Sequence, residues 1–488
     1  MTGLADADSH ATLLAPLGAV GIGEGAPSCY RRRMTAVESL RAACPSLAVV
    51  TDPESLDVEG VDGLRPSRGR PDLAARRRRP LAVLEPASTE EVGAVVCWAG
   101  SQRIALVARG GGSGLMGGAA VFGSAVVVDL RRLDTVEVDA DSCLVRAGAG
   151  ATIASVDRAL GAHGLMLGHD PWTVAVATVG GALGTNGLGY LGARAGSFGA
   201  QVVALEAVVA GGGVVRTPLA PARSTGLDLR HLFVATEGTL GIVTHATLVA
   251  LPRPEERIVA LHRLPSFTVG ASLAAAFRRA GIRPACLELD ADGLPPEPAS
   301  LLLVFDGLAG EARLHAERAA RLVHGAGGET LPSADAEREW GARHAIAERW
   351  AARPRFRPED WAAETEQFDF AHVGVPLGAL ATVRAVAHDL VRQHGLRLVE
   401  EGLWHWPELY SVVVAGDARS APGIRATIDG VCRAAQDSGG TMEYCHGVGT
   451  QLAPLMEREH GVAGMDVIRR VKAALDPAGI MNPGKAGL

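Results

Sequence analysis

The spacing of apolar and polar positions divides the chain into short strands and amphipathic helices. Leu81 to Leu84 predicts a strand. Ser88-Thr89-Glu90-Glu91 then opens a helix running to about Ser101, with Ser88 as its N-cap and Glu91 placed to close a capping box. Ile104 to Ala108 and Ala125 to Leu130 read as further strands. Thr135 to Val138 and Cys143 to Ala147 alternate on either side of Asp139-Ala140-Asp141-Ser142 and predict a hairpin. Thr152 to His163 is patterned as an amphipathic helix, Gly164 to Thr217 is dense in glycine, and Ile242 to Leu248 is a strand. Pro252 and Pro254 mark the exit from a first domain. Beyond them, helical patterns (Phe267 to Ala280, Glu311 to His324, Leu377 to His394, Ile424 to Ser438) alternate with apolar strands (Ser300 to Phe305, Leu396 to Glu400, Tyr410 to Ala415). That order predicts a second α+β domain with a mostly antiparallel sheet. A tail helix, Val467 to Leu475, ends at Asp476-Pro477, and no internal repeat is present.

The segment Arg109-Gly110-Gly111-Gly112-Ser113-Gly114-Leu115 directly follows the strand at 104–108. Four glycines within five positions let backbone N–H groups converge on a large anion, because no Cβ stands in the way. A tight turn alone needs only one or two glycines. Gly112-Ser113-Gly114-Leu115-Met116-Gly117 is also a literal G-x-G-x-x-G, and Asp129 closes the next strand 17 positions after Gly112. A nicotinamide-type crossover needs a helix after the glycines, within at least ~10–12 residues. Only Gly118 to Ser124 separate Gly117 from that next strand, with Gly118 and Gly123 among them. The loop is therefore read as a phosphate cradle between two strands, with no helix behind it.

With 488 residues and 48% hydrophobic content, the chain is long enough for two or three domains. A net charge of −7 argues against a nucleic-acid face. The run Arg76 to Arg79 is the local exception, read as a solvated loop, with contact to a nucleotide phosphate as the alternative. Seven cysteines without C-x-x-C spacing fit a reducing cytoplasm. No apolar run approaches the ~18 residues of a membrane span. Residues 1–33 lack a signal-peptide layout and are expected to be a disordered tail, with Met34 as an alternative start.

Four blocks carry a family resemblance: the Arg109 to Leu115 loop; Gly168-His169-Asp170-Pro171 through Ala177-Thr178-Val179-Gly180-Gly181 to Thr185-Asn186-Gly187-Leu188; Thr236-Glu237-Gly238-Thr239-Leu240-Gly241-Ile242-Val243-Thr244; and Leu475-Asp476-Pro477-Ala478-Gly479-Ile480-Met481-Asn482-Pro483-Gly484-Lys485. In that order they resemble the FAD-linked oxidases of the vanillyl-alcohol-oxidase type, the PCMH-type FAD-binding superfamily. The resemblance implies an α+β chain with an FAD-binding domain of two α+β subdomains (34–254) and an α+β cap domain with a mostly antiparallel sheet (255–454). Residues 455–488 would return to the FAD domain. It implies FAD contacts from Arg109, Gly110, Gly111, Gly112, Ser113, Gly114 and Leu115; from Pro171, Trp172, Thr173, Ala177, Thr178, Gly180, Gly181, Thr185, Asn186 and Leu188; and from Glu237, Gly238, Gly241, Ile242 and Asn482. Gly180 and Gly181 would let backbone lie against a flat ring system, and Thr178 and Thr185 offer hydroxyls. Members that attach FAD through the loop carry His where this chain has Ser113, so dissociable FAD is expected.

The resemblance also implies a flavin oxidoreductase that takes hydride from a secondary alcohol or hydroxy acid onto flavin N5. His446, in Glu443-Tyr444-Cys445-His446-Gly447-Val448-Gly449, sits at the family's His-Gly-x-Gly turn and is the expected acid/base; a structural histidine beside a turn is the alternative. Trp340-Gly341-Ala342-Arg343 resembles the W-x-x-R of D-2-hydroxyacid dehydrogenases, which makes Arg343 a candidate for a substrate carboxylate. A helix-surface arginine is the alternative. His405, within Trp404-His405-Trp406, and Tyr410 complete the candidate catalytic set, and Glu364, Thr365 and Glu366 are further cap positions. Metal-dependent members use two histidines spaced H-x6-H plus a Glu before the His-Gly turn. Here Cys445 takes the Glu position, Val412 the second His position and Leu398 its alternative, so no catalytic metal is expected. The second block is equally similar to alkyl-dihydroxyacetonephosphate synthases, FAD enzymes with no net redox change, which are the alternative function. They carry a histidine run before the turn and a Lys after it, where this chain has Tyr444-Cys445 and Thr450. The expected partners are a small-molecule substrate and a second copy of the chain as a homodimer.

Overall fold

The computed structural model describes residues 35–65, 68, 71–220, 224–295, 297–345, 347–348, 366–405 and 408–488. Residues 1–34, Glu364, Thr365 and Trp406 lie outside them.

The first sheet is built from β1 (Ala48–Val50), β2 (Val83–Glu85), β3 (Ala105–Arg109) and β4 (Ala125–Asp129) in the order β1-β2-β4-β3. β2 and β3 both run parallel to β4. Residues 110–124, which join β3 to the parallel β4, contain no helix. Between β2 and β3 lies the helix Thr89–Gln102. Ser88 caps it by accepting from Glu91 N, and the Glu91 carboxylate returns to the N–H of Ala87, one residue earlier than a capping box requires. Its stripe Val92, Val95, Val96 and Ala99 packs on Leu84, Leu106, Val126 and Val128. Each large apolar side chain buried there stabilises by ~1.5–3 kcal/mol.

The second sheet comprises β5 (Val136–Asp139), β6 (Leu144–Gly148), β7 (Leu165–Leu167), β8 (Val202–Val208), β9 (Val214–Arg216) and β10 (Ile242–Pro252). Its order is β5-β6-β10-β8-β9, with β7 on the far end of β10. β10 has 11 residues and serves three neighbours, which the expected strand to Leu248 underestimates. The hairpin is present as β5–β6, and the helix Ile153–Gly161 is capped by Thr152.

The third sheet, entirely antiparallel, holds β11 (Glu256–Leu264), β12 (Cys286–Ala291), β13 (Ala299–Gly307), β14 (Glu329–Thr330), β15 (Gln367–Gly374), β16 (Arg397–Trp404) and β17 (Leu409–Gly416), ordered β14-β11-β13-β12-β16-β17-β15. Helices Phe267–Arg279, Glu311–Gly325, Leu380–Gln393 and Ala421–Asp437 cover one face, with Leu289, Leu303, Phe305, Val373, Leu403, Tyr410 and Val412 in that core. On the other face Cys286, Leu302 and Val304 pack against Met166 and Leu191, from β7 and the glycine-dense stretch. Side chains alternate between the faces, so Phe370 and His372 of β15 and Trp404 of β16 share that second face.

The last helix, Met456–Leu475, is longer than its sequence pattern indicates and is broken at Gly461 (φ 68). The chain then returns to the first sheet. Leu106 N donates to Ile480 O at 2.7 Å and Asn482 N to Leu106 O at 2.8 Å, so residues 480–482 line the free edge of β3.

Candidate active site

β3 delivers the chain into a loop that only glycine can form. A Cβ on Gly110 would lie 2.0 Å from Thr178 Oγ1, and one on Gly111 1.8 Å from Val176 O. Gly112 has φ +69. Among the described residues, none of the N–H groups from Gly110 through Leu115 donates to a protein acceptor. Six consecutive open donors on one curved loop form a seat for an anion. Arg109 supports this loop from behind. Its Nε donates to Glu59 Oε2 at 2.6 Å and its Nη1 to Val61 O, and a Cβ on Gly112 would meet Nη2 at 2.2 Å. Its charge is answered by Glu59, so negative charge on a ligand falls to the peptide groups.

The loop borders an open cavity of about 1420 Å³ of empty space, mouth included. Its walls contain Gly110, Gly111, Gly112, Ser113, Gly114, Leu115, Pro171, Trp172, Thr173, Ala177, Thr178, Gly180, Gly181, Thr185, Leu188, Glu237, Gly238, Gly241 and Ile242, together with Cys445 and His446. The expected cofactor residues are thus gathered around one space. Asn186 and Asn482 are exceptions and stand behind the wall. Asn186, in the left-handed region (φ 53), ends the helix Val179–Thr185, and its Oδ1 accepts from Gly199 N. Asn482 (φ 41) uses Nδ2 to tie Gly118 O and Glu237 O together at 2.9 and 2.6 Å. In both, the short amide serves neighbouring backbone.

His446 is held by two carboxylates acting on its turn. Glu443 Oε1 accepts the N–H groups of Tyr444, Cys445 and His446, and Glu237 accepts those of Val448 and Gly449 at 2.6 and 2.9 Å. Gly447 (φ 81) and Gly449 (φ 52) are required by the backbone, and a Cβ on Gly449 would lie 2.0 Å from Met116 O. Burial raises Glu237 to about 7, opposed by the two N–H groups it accepts. The His446 Nδ1 lies 3.4 Å from Glu443 Oε1.

Beside His446 the structure places residues to which the sequence reading gave no role. The ring of His372 of β15 lies tilted beside that of His446, 4.7 Å between centroids, and meets Trp404 edge-on at 4.9 Å. Burial holds it well below the usual imidazole range, so it is neutral. His169 lines the cavity with its buried Nδ1 unpartnered, and burial lowers it to about 3. Arg68, fully buried, donates to Asp369 at 2.6 Å, to Leu115 O, and lies 3.9 Å over the Phe370 ring, joining the glycine loop to β15. The alternation of Phe370 and His372 within Gln367 to Gly374 was the available signal for β15; nothing in sequence places that strand opposite residue 446.

Other candidates are elsewhere. Tyr410 points to the helix-covered face, where its hydroxyl donates to Glu401 at 2.6 Å. Residue parity along β17 puts it there, away from the cavity. Arg343 is outside the cavity wall. Its Nε donates to Asp170 Oδ2 at 2.9 Å and its guanidinium stacks 4.0 Å over Trp340, so a nearby carboxylate already occupies it. His405 (φ 60) is buried beside Tyr190, with burial lowering it to about 4, and does not line the cavity. Trp404 donates to Asp290 at 2.6 Å. Glu366 pairs with Arg397 at the surface.

The metal-ligand pattern of the metal-dependent members is absent at Val412 and Leu398, and His405 is not grouped with Cys445. Instead His372, Cys445 and His446 bring one ligand atom each to within 4.8 Å of one another.

The residues present fit FAD: an open peptide cradle for the diphosphate, a glycine-rich cavity, and imidazoles of His169 and His446 on its wall. Comparison with known proteins agrees. Residues 80–218 match the FAD binding domain family and residues 253–486 the C-terminal domain of FAD linked oxidases. Glycolate oxidase subunit GlcD of Bacillus subtilis (strain 168) is 27% identical over 425 residues, covering 83% of this chain and 88% of the relative. D-2-hydroxyglutarate dehydrogenase of Xanthomonas citri pv. viticola is 29% identical over 480 residues, covering 92% and 96%. An alkyldihydroxyacetonephosphate synthase structure superposes with a TM-score of 0.73 at 17% identity, over 92% of this chain and 85% of that one. With both halves matched and the cradle present, the chain belongs to the FAD-linked oxidases, and FAD is its cofactor.

Proposed function

We propose that this chain is an FAD-dependent oxidoreductase that oxidises the CH–OH carbon of a small hydroxy acid. The observation that carries the reading is His446, its turn clamped by Glu443 and Glu237, lining the same cavity as the open peptide cradle. The relatives named as glycolate and hydroxyglutarate enzymes support the substrate class; the synthase likeness shows the fold alone. When bound in the glycine-loop cradle, FAD would supply the two-electron sink for oxidation of the substrate carbon. The glycine loop binds and orients the cofactor. His372, Trp404 and Phe370 wall off water beside His446. The Nδ1 of His446 faces Glu443, which leaves Nε2 to accept the hydroxyl proton, and Glu443 stabilises the imidazolium.

FAD is held without a covalent bond in this reading, since Ser113 stands in the loop where covalent members have histidine. Among the described residues the cysteines are free thiols, which supports a reducing cytoplasm, and no helix is long and apolar enough to cross a membrane.

The test is anaerobic mixing of the flavin-loaded protein with D-lactate, glycolate and D-2-hydroxyglutarate, read as flavin bleaching. His446→Gln is expected to keep the flavin and slow bleaching by about 10²–10⁴-fold. Equal rates in the variant would remove His446 from the mechanism; absence of bleaching with every hydroxy acid would remove the substrate class.

A further inference from the structure

We propose that His169 is a second imidazole of the active site, one that donates from Nε2 to a carboxylate oxygen of the bound substrate. The open donor is a property of the cavity itself; that it meets a carboxylate rests on the hydroxy-acid reading above.

His169 follows β7, lines the cavity and is 3% exposed. Its surroundings hold the ring in place. Phe198 meets it edge-on at 4.8 Å between centroids. Phe198 N in turn donates to Gly187 O at 2.9 Å. A Cβ on Gly187 would lie 3.6 Å from His169 Cε1 and 3.7 Å from Cys445 O. One bare glycine thus separates the His169 ring from the turn that carries His446. The backbone beside it is tied as well, since Asp170 O accepts from Tyr190 N at 2.8 Å. The imidazole is oriented before any ligand arrives, which is what a binding group requires.

Neither ring nitrogen has a partner among the described residues. Nδ1 is sealed inside the protein. Nε2 is not sealed, and it is the nitrogen left to the cavity. Burial, reinforced by His405, lowers the ring to about 3, so near neutral pH it is uncharged and carries a single proton. A proton on Nδ1 would be a buried N–H with no acceptor, the costly kind of orphan. The proton is therefore assigned to Nε2, facing the cavity.

The charges nearby are already spent. Among the described residues lining the cavity, Arg109 is the one arginine and no lysine is present, and Arg109 is paired with Glu59. Arg68 and Arg343 are held by Asp369 and Asp170. A substrate carboxylate in this cavity is left to uncharged N–H groups, and a bond from such a donor to a carboxylate is stronger than one between neutral partners. The two imidazoles then divide the work: His446 takes the hydroxyl proton and His169 holds the acid group.

The experiment titrates flavin-loaded protein with oxalate, a dicarboxylate with no C–H bond to oxidise, read as perturbation of the flavin absorbance. KM and kcat are measured beside it with whichever hydroxy acid bleaches the flavin. His169→Phe keeps a ring and removes the donor; His169→Gln keeps an N–H near the Nε2 position. His169→Phe is expected to weaken oxalate binding and raise KM by about 10- to 100-fold with little change in kcat, and His169→Gln to recover most of the loss. Oxalate affinity and KM unchanged in His169→Phe overturn the proposal. So does a fall in kcat at unchanged KM, which would put the imidazole on the reacting oxygen. Flavin lost from both variants overturns it too, by assigning His169 to the coenzyme, as does the absence of saturable oxalate binding to the unaltered protein. Oxalate binding that depends on His169, with no hydroxy acid bleaching the flavin, leaves the carboxylate subsite standing and removes the proposed reaction instead.

Discussion

Glu237 is the side chain on which the cofactor wall and the turn carrying His446 meet. Its folded pKa of about 7 lies above the ordinary 4.5, so the folded protein holds that proton more tightly than the unfolded chain. Its contribution is therefore complete below about pH 4.5, falls as pH rises toward 7 and is flat beyond. Glu237→Gln keeps an acceptor for Val448 and Gly449 and should remove this slope, of order a few kcal/mol, as seen in melting temperature against pH. Arg343 gives a contrasting case. With its guanidinium held by Asp170 and Trp340, Arg343→Ala should lower stability by ~1–3 kcal/mol and leave KM for a hydroxy acid unchanged. Both residues were visible in sequence as motif members, but their partners were not. Glu237 was expected among the cofactor contacts and lines the cavity, and its carboxylate also reaches across to residues 448 and 449. Tyr410 illustrates a sharper limit, since a strand shows that its faces alternate without showing which face is roofed by helices.

Among the elements, the glycine loop was the most legible. The absence of a helix between β3 and β4 follows from the short spacing and the glycine content, and the structure has none. Gly111→Ala should yield a folded protein without flavin, because its Cβ would press on Val176 O at 1.8 Å and distort the cradle, whereas Gly123→Ala, with nothing within 4 Å, should keep full flavin content; absorbance of the purified variants measures both. Elements with strong local signals, such as the helix capped by Ser88 and the β5–β6 hairpin, were recovered nearly to the residue. β11, β12 and β15 were not singled out, since a strand gains its stability from neighbours distant in sequence. The same non-locality hid His372, whose function depends on β15 pairing with β17 and facing the turn at 446.

Across the molecule, the cofactor cradle and the third sheet are joined by buried polar ties rather than by apolar contact alone. Arg68 reaches both Leu115 O and Asp369, and Gln451 donates to the other oxygen of Asp369 at 2.9 Å. Removing one partner leaves an unanswered buried charge, so Arg68→Ala should cost ~3–5 kcal/mol and loosen flavin binding together with stability, as read by denaturant melting with and without added FAD. The return of residues 480–482 to the edge of β3, with Asn482 fastening Gly118 to Glu237, has a consequence for biosynthesis. A nascent chain still short of Asn482 has translated every glycine of the cradle, yet lacks the amide that draws two of its walls together. A chain cut short before Asn482 is therefore expected to purify with less flavin than the full chain, as its absorbance would show.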